Sequence, residues 1–359
     1  MKKMSKPAPS RLSPPANIPG PVKRKRSWLS IHIIIMSSLV VLSIALNIYY
    51  LTRKASAQKS AVSSAEPKTP SSLHFLREQE NSSKLIRPLL LVDGSPESPR
   101  MAPLKWALTR TIKEWQKDGR VSAVSVYLAA LNDMSWMGIG SEEQYLPGSL
   151  MKVPIMLYYL KQEQEHPGAI NKEFVYERPK VSFPQQNYVG DSIIAGRKYK
   201  ISELLRYMIA ESDNNATFVL SMHIQQDEYR QMFVDLDITP YEVSNTLYSI
   251  SPKQYSKFFR VLYSATYLNE QLSEYALELL SKCNFREGLV RDIPKQTIVA
   301  HKFGERSIDY DMNFSESAIV FYHSSPYLLI VMTKGRDIKL QTDLVSELSH
   351  EIYLKYGNI

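Results

Sequence analysis

The chain has one cysteine in 359 residues, Cys283, so it can form no intrachain disulfide and no multi-thiolate metal site. Whatever part of it folds must be held together by its core. The string LLSKCNF around Cys283 reads as the end of an amphipathic helix, which makes the thiol structural and not reactive. Internal repeats are missing. Acidic residues are missing from positions 1–27, which carry eight basic side chains: Lys2, Lys3, Lys6, Arg11, Lys23, Arg24, Lys25 and Arg26. Those eight equal the formal net charge of +8 for the whole chain, so the remaining residues balance. The pI near 9.2 therefore gives no reason to expect nucleic acid as a partner. With 44% hydrophobic and 22% charged residues, a wholly disordered or collagen-like chain is excluded.

Charge of either sign is absent from Trp28 to Thr52, a run of 25 residues. A helix needs about 20 mostly apolar residues to cross the hydrocarbon core of a bilayer. Trp28 stands at one end and Tyr49 and Tyr50 at the other, where interfacial aromatics are favoured. By the positive-inside rule, residues 1–27 form a cytoplasmic basic tail, 28–52 a single-pass anchor in the cell membrane, and the rest lies outside the cytoplasm. Ala55-Ser56-Ala57 has the small-x-small form of a signal-peptidase site. The apolar run is longer than the ~7–15 residues of a signal peptide, however, and Arg53 and Lys54 intervene. His32, Ser37, Ser38 and Asn47 read as tolerated polar residues in the span. Residues 53–84, rich in Ser, Ala, Lys, Glu and Pro, read as a flexible spacer, and 85–359 as the folded extracytoplasmic domain.

Within that domain, apolar spacing predicts a helix over 104–118, a strand over 122–131 and its hairpin partner over 135–140. Helices are expected over 150–164, 201–212, 215–225, 252–266 and 270–283. Strands are expected over 297–304, 317–323 and 327–335, with a last helix over 343–356. Strands at both ends and helices between them imply an α+β body, with the terminal strands sharing one antiparallel sheet.

Three short motifs follow one another. In Ser149-Leu150-Met151-Lys152 the hydroxyl and the amine are one helical turn apart, and a desolvated lysine can act as a base toward a serine hydroxyl. A second copy of the pattern, Ser56-Ala57-Gln58-Lys59, lies in the spacer, where Lys59 faces water. Lys152 is instead embedded among Leu150, Met151, Val153, Ile155, Met156 and Leu157, so it needs a partner or a task. A lysine snorkelling from a helix start is the alternative. Ser212-Asp213-Asn214 sits at a helix junction, where a hydroxyl and a carboxamide can face a cleft; taken alone it reads better as a helix cap. His301-Lys302-Phe303-Gly304 lies on a strand, with Gly304 allowing close backbone approach.

Ser-x-x-Lys, Ser-Asp-Asn and Lys-x-Gly in this order resemble the signature of the serine penicillin-recognising enzymes. The stretches LPGSLMKVPIMLYYL, LLRYMIAESDNNAT and IVAHKFGE are similar to the nucleophile helix, second-motif helix and third-motif strand of the class A β-lactamase-like family. The resemblance implies a β-lactamase/transpeptidase-like fold and acyl transfer without a metal or cofactor. It implies Ser149 as nucleophile, Lys152 as acylation base and Ser212 as proton shuttle. Lys302 would support both that transfer and carboxylate binding, and Asn214 would bind the acyl amide. Gly304 lets the substrate lie against the strand, and the backbone N–H groups of Ser149 and Glu305 would form an oxyanion hole. The substrate would be a β-lactam or a peptidoglycan stem peptide.

Two departures stand out. The family has Thr or Ser where this chain has Phe303, which cannot donate a hydrogen bond to a substrate carboxylate. Lys334 and Arg336, just after the final strand, are the alternative source of charge, with surface solvation their other and better-favoured reading. The family's deacylating Glu lies in Glu-x-x-Leu-Asn. Here Glu242 and Asn245 are one residue too close for that pattern, which leaves Glu242 either a deacylation base on a reshaped loop or an exposed carboxylate. The readings that follow are a β-lactamase, a D,D-carboxypeptidase of the penicillin-binding type, or a weakly catalytic receptor for cell-wall peptides or β-lactams.

Overall fold

The computed structural model describes residues 73–78, 88–178, 187–188, 190–241, 247–308 and 311–358. All of them belong to one compact unit, Pro70–Ile359. The basic tail, the apolar run 28–52 and Glu242 lie outside the described residues. Among the described residues no helix is long and apolar enough to cross a membrane.

The centre of the unit is a five-stranded antiparallel sheet. Its strands are β3 (Ala123–Ala130), β4 (Trp136–Ile139), β7 (Val299–Ile308), β8 (Asp311–Val320) and β9 (Tyr327–Gly335), in the order β4-β3-β9-β8-β7. Strands from both ends of the domain thus share one sheet, as the sequence predicts. The chain enters β3 with a continuous apolar run because both faces of the sheet are covered. Val124, Val126 and Leu128 pack on one side, and Tyr127 and Ala129 on the other. The first side is closed by α1 (Ala102–Lys117) and α8 (Ile338–Tyr356), through Leu104, Leu108, Ile112, Leu344, Leu348 and Ile352. The second side carries the helical insertion: α2 (Lys152–Glu165), α3 (Ile201–Ala210), α4 (Asn214–Ser221), α5 (Gln226–Asp235), α6 (Pro252–Tyr263) and α7 (Glu270–Ser281). In α2 every residue from Lys152 to Leu160 is buried, which makes it the central helix of that layer. β7 is the outer strand of the sheet, so one of its edges is free of strand pairing.

Several elements differ from the sequence reading. β8 begins at Asp311, not near residue 317, because β7 continues to Ile308 and pairs along its whole length. The polar residues Asn313, Ser315 and Glu316 hide that strand from a hydrophobicity pattern. Helix α8 starts at Ile338, with the Asp337 side chain accepting from the Leu340 N–H at 3.1 Å. Helix α5 and the small hairpin β5 (Glu173–Val175) and β6 (Lys198–Lys200) were not anticipated.

The expected spacer is also too long. His74–Arg77 forms β1, paired antiparallel with β2 (Leu89–Asp93). Leu76 is buried while His74, Phe75 and Arg77 are exposed, a one-residue apolar signal too short to stand out from a polar background. The hairpin is fastened to α6 by charge. Arg260 donates to the Val92 carbonyl at 2.7 Å and contacts Asp93 at 3.4 Å, and Lys257 stands 4.0 Å from the same carboxylate. Both cationic side chains are only 5% exposed, so Asp93 compensates charge that water cannot reach. Removing one partner of such a pair leaves the other uncompensated. Asp93→Ala is therefore expected to lower the unfolding free energy by about 2–4 kcal/mol, measured by chemical denaturation. Amide exchange should rise in β1 and β2 first.

Candidate active site

The site forms where the free edge of β7 meets the N-terminal end of α2. Gly148–Met151 is a 3₁₀ turn leading directly into α2, so Ser149 and Lys152 lie at i and i+3 of the tighter helix, whose side chains eclipse. Two glycines let the turn and the strand touch through their backbones. A Cβ on Gly304 would stand 2.2 Å from the Pro147 carbonyl oxygen and 3.0 Å from the Ser149 nitrogen. A Cβ on Gly148, which has φ of 52°, would stand 2.3 Å from the Glu305 carbonyl oxygen. No side chain fits at either position, and the positive φ adds a second reason for glycine at 148.

The second motif divides its labour. Asp213 is the helix cap: its carboxylate accepts from the N–H groups of Asn215 at 2.9 Å and Ala216 at 3.2 Å, at the start of α4. It also accepts from the Ser192 hydroxyl at 2.8 Å and the Ile193 N–H at 3.1 Å, which ties down a neighbouring loop. Ser212 and Asn214 are thereby freed to face the lysines. Ser212 adopts φ of 55°, a left-handed conformation unusual for a residue with a side chain.

Four side chains converge there. Lys152 donates to the Ser212 carbonyl at 2.5 Å, contacts the Ser212 hydroxyl at 3.1 Å and donates to Asn214 Oδ1 at 2.9 Å. Lys302, from β7, donates to the same Ser212 hydroxyl at 3.0 Å and to the Phe303 carbonyl at 3.0 Å. Both ammonium-bearing side chains are buried, Lys302 completely. Burial, and then the charge of Lys302, push Lys152 well below the usual lysine range. Burial also lowers Lys302, to about 8, against the opposing pull of Cys283, Glu316 and Glu305. Two positive charges sharing one hydroxyl in a dry site oppose each other's protonation.

Behind Lys302 lies a polar cluster with no exposure to solvent: Cys283, His301 and Glu316. His301 Nδ1 lies 2.8 Å from Glu316 Oε1, and the Leu289 N–H donates to Glu316 Oε2 at 2.7 Å. Burial alone would lower His301. The Cys283 and Glu316 side chains outweigh that effect and raise it to about 10. Cys283 follows α7 and is fully buried, in agreement with its structural reading.

The sequence-derived residues Ser149, Lys152, Ser212, Asn214, Lys302, Gly304 and Glu305 are thus adjacent, while Glu242 lies outside the described residues. Lys334 is part of β9 and lies 4.8 Å above the ring of Tyr145. Arg336 lines a cavity together with Phe303 and Glu305. Sequence reasoning missed Asn187 and Tyr188. Asn187 donates to the Glu305 carboxylate through its N–H at 2.7 Å and its Nδ2 at 2.6 Å. Tyr188 packs edge-on to Phe303, with ring centres 5.3 Å apart. Their segment is polar and aperiodic, and nothing in it pointed toward a strand 118 residues away.

Three comparisons bear on this arrangement. Residues 107–356 match the Beta-lactamase enzyme family. A comparison with curated proteins found no match. Among solved structures, a β-lactamase from Chitinophaga pinensis DSM 2588 superposes with a TM-score of 0.61 at 16% identity, covering 70% of this chain and 99% of the other. The protein PBP-A superposes with a TM-score of 0.60 at 17% identity, covering 74% and 99%. A PBP-A variant in acyl-enzyme complex with penicillin G gives 0.60 at 16% identity, covering 74% and 100%. At these identities the structural likeness carries the fold, and the family match spans most of the chain. The chain belongs to the beta-lactamase enzyme family, and with it to the serine hydrolases.

Proposed function

We propose that this protein is a membrane-anchored, extracytoplasmic acyl-transfer enzyme that opens β-lactam rings through an acyl-enzyme on Ser149. The observation that carries the reading is the hydrogen-bonded series Lys152–Ser212–Lys302 beside the Ser149 turn. In the resting site a neutral Lys152 donates to the Ser212 carbonyl and to Asn214 and accepts the Ser212 hydroxyl proton in its lone pair. When substrate enters, the Ser212 hydroxyl turns toward the substrate nitrogen and the Lys152 lone pair is released. Lys152 then takes the Ser149 proton as the Ser149 oxygen attacks the carbonyl carbon. The oxyanion is held by the backbone N–H groups of Ser149 and Glu305, each such donor typically contributing about 3–4 kcal/mol in the transition state. The proton passes through Ser212 to the leaving nitrogen, and the C–N bond breaks. Lys302 stays protonated and polarises the Ser212 hydroxyl. Water then cleaves the ester and restores Ser149, with Glu242 the candidate to activate it.

A second reading, a D,D-carboxypeptidase of the penicillin-binding type acting on stem peptides, is favoured by Phe303. A site lacking the hydroxyl that anchors a β-lactam carboxylate is a poorer match to that substrate. The apolar run 28–52 with its cytoplasmic basic tail supports the anchor.

Labelling the full-length chain with a fluorescent penicillin separates the readings. Fast turnover with little trapped label is expected for a β-lactamase, a stable adduct for the penicillin-binding enzyme, and Ser149→Ala should abolish both. Absence of label on a folded chain would refute acyl transfer on β-lactams. The pH profile of acylation should rise as Lys152 loses its proton and fall above about pH 8, where Lys302 becomes neutral. Lys302→Arg, which stays charged, should extend activity by at least one pH unit on the alkaline side. For the anchor, protease added to intact cells should remove the domain; a protected domain would reverse the proposed topology.

A further inference from the structure

Phe303 does more than remove a hydroxyl. It is 1% exposed and stacks on Phe285, with ring centres 4.1 Å apart and planes 22° apart. Tyr188 closes on both rings edge-on, at 5.3 Å and 5.6 Å. These three aromatics, with Met312, Phe314 and Ile338, form the apolar walls of a cavity of about 470 Å³ that also reaches Glu305. Lys302 Nζ lies against the Phe303 ring, and Gly304, between Phe303 and Glu305 on β7, touches the Ser149 backbone, so the wall of the cavity adjoins the candidate site.

The charges around it give an anion no net attraction. Glu287, Glu305 and Asp337 line the cavity against Arg336 and Lys339, and Lys302 Nζ lies 4.1 Å from the centre of the Phe303 ring. Lys339 is already paired with Asp343 at 2.6 Å, and Glu305 is held at the strand by Asn187. A carboxylate entering here would meet as much negative as positive charge and would lose its hydration against aromatic rings, an unfavourable transfer. An uncharged apolar group would gain by burial.

We propose that this cavity is a specificity pocket of the acyl-transfer site, and that it takes an uncharged aromatic or aliphatic substituent of the substrate in place of a carboxylate. The proposal rests on the acyl-transfer reading for the identity of the ligand as substrate, and its binding test does not depend on chemistry. The full-length Ser149→Ala chain in detergent is titrated calorimetrically with benzylpenicillin and with its benzyl ester. The two differ only in whether the carboxylate is free or replaced by an uncharged aromatic ester.

The ester should bind at least tenfold more tightly than the acid. Ile338→Glu places a carboxylate at the cavity wall in the first turn of α8, where the helix tolerates it, and should weaken ester binding at least tenfold. Tyr188→Ala, on a half-buried loop residue, should weaken it at least threefold, while the acid changes by less than twofold in both variants. Equal or tighter binding of the acid would overturn the pocket, as would an ester affinity unmoved in both folded variants or no ester binding at all. Ester binding without acylation of Ser149 in the unsubstituted chain would refute the acyl-transfer reading and leave the pocket standing.

Discussion

The site depends on one backbone contact. The turn carrying Ser149 and the outer strand carrying Lys302 approach so closely that neither Gly148 nor Gly304 has room for a Cβ. The candidate site residues are registered by this contact: it fixes the Ser149 and Glu305 backbones relative to one another and carries Lys302 past Ser212. Large elements hold the contact in place. Helix α2 is buried along most of its length between the sheet and the other helices, so the turn at its start cannot drift. β7 is paired with β8 over ten residue pairs, and a strand so fully paired along one edge can offer the other to a ligand without losing its own shape.

How much of this was legible follows from what each element needs. The sheet, the nucleophile helix and the paired motifs show in the sequence because they rest on apolar periodicity and on residue types at fixed spacing. Lys152 among six apolar neighbours signalled burial, and the structure places it in the dry centre of the site. The role of Asp213 was only half legible: Ser, Asp and Asn all suit a helix junction, and only the coordinates show that Asp213 alone caps while its neighbours turn inward. β1 and the first half of β8 were hidden because polar residues alternate with few apolar ones. Asn187 and Tyr188 gave no signal at all, since they matter through a strand far along the chain.

Phe303 illustrates a substitution that reads as a loss in sequence and as a construction in space. Taken by position it only removes a hydroxyl from the third motif. In the fold it joins Phe285, Tyr188 and Phe314 in a continuous aromatic wall, which spreads the change over three segments of chain. A lone aromatic intruding on a polar subsite would cost stability through unsatisfied neighbours. A packed cluster avoids that cost by replacing the subsite entirely.

The two lysines of the site are not equivalent. Both are buried and both touch the Ser212 hydroxyl, so their charges compete. Their surroundings break the symmetry. Lys152 is met at hydrogen-bonding distance by a backbone carbonyl, a hydroxyl and an amide oxygen, all of them neutral dipoles. Both lysines feel the pull of Cys283 and Glu305, with Asp213 added at Lys152 and Glu316 at Lys302, and the charge of Lys302 itself lowers Lys152. Lys152 is thereby held well below the usual lysine range, while Lys302 falls to about 8. That ordering supports the proposed roles, Lys152 as base beside Ser149 and Lys302 as the cation on the strand. Glu316, fixed by His301 and the Leu289 N–H, is part of the charge that supports the Lys302 ammonium.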